Sequence, residues 1–104
     1  MPDPQARYEE IADDLASRHD DVELGKMMGM PCVKYAGKLK AGYWPATGAM
    51  TFKLVDPADR DEALALPGAE IFDPSGRRPM RQWVAVPAEH AKEWPRLAER
   101  ALAS

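Results

Sequence analysis

The chain has a single cysteine, Cys32, so it forms no internal disulfide, and a reducing cytoplasmic setting is expected. Long apolar runs are missing too. The longest, Met27 to Val33, is broken by Gly29 and Pro31, whereas a membrane-spanning helix takes about 20 apolar residues. No membrane partner is therefore expected. The first residues include Asp3, Glu9 and Glu10 rather than a basic segment followed by an apolar one, so no signal peptide is expected. Metal-ligand spacing is absent as well: His19, His90 and Cys32 stand far apart, with no close pair among them. Gly25-Lys26-Met27-Met28-Gly29 matches neither glycine-rich phosphate-binding spacing. Cys32 lies in an apolar run, where a thiol acts as a small hydrophobe rather than as a nucleophile. The paired acids, such as Asp13-Asp14 or Asp59, Asp61 and Glu62, fall on wet helical faces and lack the environment of a general acid. No enzyme, no catalytic residue, no metal and no cofactor is expected.

What is present describes a soluble globular domain. The 104 residues are 45 % hydrophobic and 30 % charged, which suits one domain over residues 1–104 with one modest core. The net charge of −3 is unevenly spread. Residues 1–24 carry eight acids against two arginines, whereas residues 25–55 carry five lysines and no acid. Residues 56–104 carry nine acids and seven bases. Segregation of this kind bears on partners and solubility rather than on fold.

Hydrophobic periodicity places the elements. Tyr8, Ile11, Ala12, Leu15 and Ala16 form one stripe of 3.6-residue period, predicting a helix capped by Asp3, started near Pro4 and fading over Ser17 to Asp20. Val22 to Met28 reads as a strand and Gly29-Met30-Pro31 as a break. Cys32 to Ala36 and Leu39 to Tyr43 read as two arms of a hairpin turning at Gly37-Lys38. In the second arm, Leu39, Ala41 and Tyr43 are expected on one face and Lys38, Lys40 and Trp44 on the other. Met50, Phe52 and Leu54 alternate with Thr51 and Lys53, a further strand. Asp56 caps a second helix with Pro57 in its first turn, ending at Pro67-Gly68 after Leu66. Glu70 to Phe72 and Met80 to Val86 read as strands around a type I turn at Asp73-Pro74-Ser75-Gly76. Pro95 divides the last segment into a turn at Ala88–Glu93 and a helix striped by Trp94, Leu97, Ala98, Ala101 and Leu102. The expected fold is α+β: a mostly antiparallel sheet, covered on one side by N-terminal, middle and C-terminal helices and lysine-bearing on the other.

Two groups of residues suit binding. Lys34, Lys38, Lys40 and Lys53, with Trp44, Tyr35 and Tyr43 nearby, interleave cations with aromatics in the manner that holds phosphates and stacks bases. Arg77, Arg78 and Arg81, beside Trp83, are placed to meet anions. Either group also serves as ordinary solubilising charge, and lysines on a sheet deter edge pairing. A pI of 5.3 weighs against a dedicated nucleic-acid binder.

Leu24-Gly25-Lys26-Met27-Met28-Gly29-Met30-Pro31, followed by Tyr35-Ala36-Gly37-Lys38, resembles the opening block of the TfoX N-terminal domain family. Met50-Thr51-Phe52-Lys53-Leu54, Gly68 to Phe72, Pro74-Ser75-Gly76, Met80 to Pro87 and Trp94-Pro95 extend the resemblance over residues 5–103. Met28 stands where the family often has Phe. The resemblance, which reaches loosely to YjbR-type domains, implies a small bacterial α+β module without catalytic residues of its own. The full-length competence regulator of that family has a second domain with no counterpart in these residues, so its activity does not carry over. Together with the missing catalytic constellation and the segregated charge, the resemblance implies a regulatory module that binds a protein partner or itself, and the charge pattern lets the acidic first helix and the lysine face pair between copies as a dimer. The alternative is direct nucleic-acid binding through Lys34, Lys38, Lys40, Lys53, Arg77, Arg78 and Arg81. A third reading is an unidentified small molecule held between the sheet and the terminal helix by Met, Trp and Phe side chains.

Overall fold

The stripe of Tyr8, Ile11, Ala12 and Leu15 becomes the buried side of α1 (Pro4–Arg18). The Asp3 carboxylate caps it by accepting from the Gln5 backbone N–H at 3.0 Å. The computed structural model describes residues 3–27, 29–73, 76–77 and 80–103. After α1 come β1 (Val22–Met27), β2 (Met30–Tyr35), β3 (Lys38–Trp44) and β4 (Ala49–Lys53). Then follow α2 (Pro57–Leu64), β5 (Glu70–Phe72), β6 (Met80–Val86), a 3₁₀ segment (Ala88–Glu93) and α3 (Trp94–Leu102).

The six strands form one sheet in the order β1-β2-β3-β4-β6-β5, and every neighbouring pair is antiparallel. Consecutive strands pair directly until α2 intervenes. The chain then lays β5 at the far edge, and β6 returns between β5 and β4.

All three helices lie on one face: α1 against β1, α3 against β3 and β4, α2 against β6. Their buried side chains join Val33, Ala41, Tyr43, Met50, Phe52, Val84 and Val86 in a single cluster. Trp94 lies at its centre, and its indole N–H donates to the Val86 carbonyl at 3.2 Å, which removes the penalty of burying that donor. The Tyr8 and Tyr43 rings meet with centroids 5.6 Å apart, joining α1 to β3. Ion pairs stitch the outside of the helical layer: Arg18 of α1 to Glu99 of α3, Arg96 of α3 to Glu62 of α2, and Arg100 of α3 to Asp59 of α2.

The expected α+β fold, its antiparallel sheet and the split at Pro95 are present. Four local readings differ. Met27 pairs directly with Met30 and Lys26 with Pro31, so Met30 and Pro31 of the expected break are paired residues of β2. Pairing between β2 and β3 begins only at Cys32, so the N–H that Pro31 lacks is not needed on that side. The β2–β3 turn falls on Ala36-Gly37, both with positive φ (52° and 81°), the type I′ geometry that suits strand twist. Lys34 pairs with Leu39 and Val33 with Ala41, which leaves Lys40 as the extra residue of a β-bulge. Leu39 thereby leaves the face of Ala41 and Tyr43 and packs in a second cluster on the other side. The α-helical turns of α2 end at Leu64, short of Leu66. Met28, Pro74-Ser75 of the expected turn, Arg78 and Pro79 lie outside the described residues.

Candidate functional site

The face of the sheet opposite the helices is built by register. Gly25 pairs with Cys32, Cys32 with Gly42, Gly42 with Thr51, and Thr51 with Ala85. Directly paired residues share a face, so this row of small side chains crosses five strands and leaves a trough. On one side of it stand Met27 and Met30, paired with each other, and Trp44, paired with Ala49. On the other side stand Leu39 and Trp83. Phe72 and Met80 close one end. The trough has a volume of about 120 Å³.

Phe72 reaches Trp44 edge-on, with ring centroids 4.9 Å apart and planes at 82°. The two residues come from β5 and β3, strands separated by β6 and β4. Phe72 therefore folds over the sheet above Ala49 and Ala85, whose small size makes room for it. The pairing of β5 with β6 shifts register between Ile71 and Phe72, and that irregularity frees Phe72 to turn inward.

Three lysines follow next along the same strands, outside the residues that line the trough. Lys53 pairs with Trp83, Lys34 pairs with Leu39, and Lys40 lies in the bulge between them. Lys40 is only 6 % exposed. Burial holds its ammonium below the ordinary lysine pKa, and the nearby charges of Lys53 and Lys38 push it the same way. Among the described residues, Glu23, across from Lys34 on β1, is the one acid paired directly into this row.

The structure thus brings together Lys34, Lys40 and Lys53 from the sequence-derived set. Lys38 neighbours them from the opposite side of the β3 start, where it pairs with Tyr35. Trp44 is packed against Phe72 rather than offered as an open stacking ring. Arg77 and Arg81 are exposed, and Arg81 stands on β6 two residues before Trp83, the partner of Lys53. The space between sheet and terminal helix is not a pocket, because Trp94, Leu97 and Ala101 fill it. The apolar hollow lies on the other face. Sequence reasoning missed Gly42, Thr51, Leu39 and Phe72 as site residues, since only strand register puts small residues side by side.

The two histidines differ in how they are held: His19 Nε2 is buried without a hydrogen bond, 3.4 Å from Glu99 Oε2. His90 Nε2 lies 2.7 Å from the Pro67 carbonyl, to which it donates, and His19 packs edge-on against Tyr35. Among the described residues no three potential ligands come together as a metal site, and no helix is long and apolar enough to cross a membrane.

The fold is that of an α+β protein with a half-covered antiparallel sheet. No family model, curated protein or solved structure matches the chain.

Proposed function

We propose that the chain is a non-enzymatic regulatory interaction module of the TfoX N-terminal domain kind, acting in the cytoplasm on transcription or a comparable response. Its partner is a protein that presents acidic and apolar side chains to the helix-free face of the sheet. The observation that carries this reading is the asymmetry of the sheet. One face is sealed by three helices, while the other keeps an apolar trough beside Lys34, Lys40 and Lys53. Self-association through the acidic side of α1 fits less well. The acids of α1 and the lysine row lie on opposite sides of the molecule, so such a contact is head-to-tail and builds open chains rather than a closed pair.

The test is affinity capture with the parent and a Lys34→Glu, Lys53→Glu double variant. A partner retained at low salt, released near 1 M salt where the Debye length is about 3 Å, and lost by the variant supports the reading. Equal capture by both proteins sinks it. The nucleic-acid reading enters the same experiment through labelled duplex and single-stranded DNA. Binding that weakens with a log–log salt slope of about −0.9 per phosphate contact and disappears in the variant would put nucleic acid in the partner's place.

A further inference from the structure

We propose that the outer edge of β1 pairs antiparallel with β1 of a second copy, across a two-fold axis at Leu24, and joins the two sheets into one. This contact is separate from the open face and does not rest on the reading of that face.

The two edges of the sheet differ. β5 is three residues long and pairs irregularly with β6, which blunts it as a template for another strand. β1 is six residues long and pairs with β2 in unbroken register from Val22 to Met27. The Ala36 N–H donates to the Asp21 carbonyl at 3.0 Å, and hydrogen-bonded positions alternate along an antiparallel ladder. Asp21, Glu23, Gly25 and Met27 therefore turn their backbone groups to β2, while Val22, Leu24 and Lys26 turn theirs outward. The Val22 N–H agrees, since it donates back to the His19 carbonyl at 3.1 Å rather than across the ladder. Among the described residues, no turn, loop or cap bond takes the N–H or carbonyl of Leu24 or Lys26. Leu24 adds a side chain 45 % exposed to the same edge. A regular edge with free backbone groups and exposed apolar surface is a site for strand addition.

Charge selects the occupant and the register. β1 crosses from the acidic to the basic part of the chain: Asp20, Asp21 and Glu23 stand at its start and Lys26 near its end. All four are exposed, and among the described residues none of them enters an ion pair. Antiparallel pairing with a second copy sets each acidic start against a basic end, and the two-fold axis makes the match at both ends. Such a pairing keeps the faces of the sheet continuous, so it centres on one residue opposed to itself. Centred on Glu23 it opposes two carboxylates, and centred on Gly25 it sets Lys26 diagonal to its own counterpart. Centred on Leu24 it opposes leucine to leucine and Val22 to Lys26, with Lys26 diagonal to Asp20 of the second copy. The Leu24 N–H and carbonyl then bond their counterparts, and the Lys26 N–H donates to the Val22 carbonyl. Glu23 faces Gly25 of the second copy, a position open enough that an added Cβ meets nothing within 4 Å.

Sedimentation equilibrium of the intact chain at low salt, from about 1 to about 500 µM, reads the association. The parent should pass reversibly from monomer to dimer and form nothing larger. Lys26→Glu, and separately the pair Asp20→Lys with Asp21→Lys, should each weaken the dimer about tenfold or more by placing like charges together at both ends. An equal mixture of these two variants should restore it, because each then meets the opposite charge in the other. Leu24→Pro should abolish it, since proline is tolerated where an edge N–H faces solvent but cannot make the bond. Amide exchange reads the edge directly: Leu24 and Lys26 should gain protection as the parent dimerises, while Glu23 and Gly25 should not change. A parent that stays monomeric, or that grows beyond a dimer, overturns the pairing. A dimer as tight in Lys26→Glu as in the parent overturns the β1 edge as its site. Failure of the mixture to restore the dimer overturns the antiparallel register. Should Leu24→Pro fail to fold, the charge variants, all at exposed positions, still decide the question.

Discussion

The two faces of this one sheet are built on opposite rules. On the helical face, paired positions carry large apolar residues such as Met50 with Val86 and Phe52 with Val84, and three helices complete the packing. On the other face the central pairs are Cys32 with Gly42 and Gly42 with Thr51, too small to fill a layer, and a single aromatic from β5 folds over part of them. The difference is one of packing. The helical face carries the larger buried cluster, and the open face is only partly filled.

Trp94→Ala tests that difference most severely. The indole is fully buried and hydrogen-bonded to Val86, so its removal leaves a large cavity and an unsatisfied carbonyl. A loss of about 3–5 kcal/mol is expected in urea unfolding, a large part of the roughly 5–15 kcal/mol that holds a domain together. A variant that keeps its midpoint would mean that the helical face is not the stabilising one.

A smaller effect is expected on the open face, and it should depend on position within one row. A Cβ added at Gly42 meets the Pro31 carbonyl oxygen and Thr51 Oγ1, each at 3.2 Å. Gly42→Ala should therefore destabilise by about 1–3 kcal/mol. At Gly25, in the same row but on the edge strand, an added Cβ meets nothing within 4 Å. Gly25→Ala should change stability by less than about 0.5 kcal/mol. Equal effects at the two positions, measured by denaturant midpoints, would show that the row is not packed as a graded floor.

The helical layer is itself uneven. Among the described residues of α2 only Ala63 is buried, so this helix depends on its ends more than on its face. The Asp56 carboxylate accepts from the Ala58 N–H at 2.9 Å. Asp56→Ala should cost about 1 kcal/mol, visible as faster amide exchange in α2 before any change in α1 or α3. Uniform exchange across all three helices would show that the layer unfolds as one unit.

These contrasts divide along the same line as what the sequence reveals. The helices are legible because a 3.6-residue stripe, an acidic cap and a proline in the first turn are local signals, present at Asp3-Pro4 and at Asp56-Pro57 and confirmed as capping hydrogen bonds. Strand existence is legible from alternation at Met50 to Leu54 and at Met80 to Val86. Register is not. The bulge that moves Leu39 off the core face depends on how β2 meets β3, and no periodicity within β3 encodes it. Pro31 misleads for a related reason. It reads as a break in isolation, yet it is tolerated in β2 because β3 pairs only from Cys32 onward. The lysines could be picked out as a group, but the trough beside them could not, since it arises only when Gly25, Cys32, Gly42 and Thr51 are aligned across strands.

The smallest expected effect concerns Lys40, among the described residues the one buried charged side chain. Its pKa is lowered in the fold by burial and by Lys53 and Lys38, so at neutral pH the folded state holds a charge less comfortably than the unfolded chain does. Lys40→Met should therefore raise the unfolding midpoint at pH 7. As pH climbs from the lowered folded value toward 10.5, the parent releases this proton first when folded and regains stability. Above 10.5 both states are neutral and the charge penalty is gone, so the advantage of the variant should shrink across that window. Tyr8 and Tyr43 act in the opposite direction. Burial raises both phenols above their ordinary value of 10.0, so the stability they contribute is complete below pH 10 and declines as the unfolded chain ionises above it. That decline is common to parent and variant and cancels in their difference. A gap between the two proteins that stays constant from pH 7 to beyond 10.5 would mean that Lys40→Met acts through packing alone and not through the charge of Lys40.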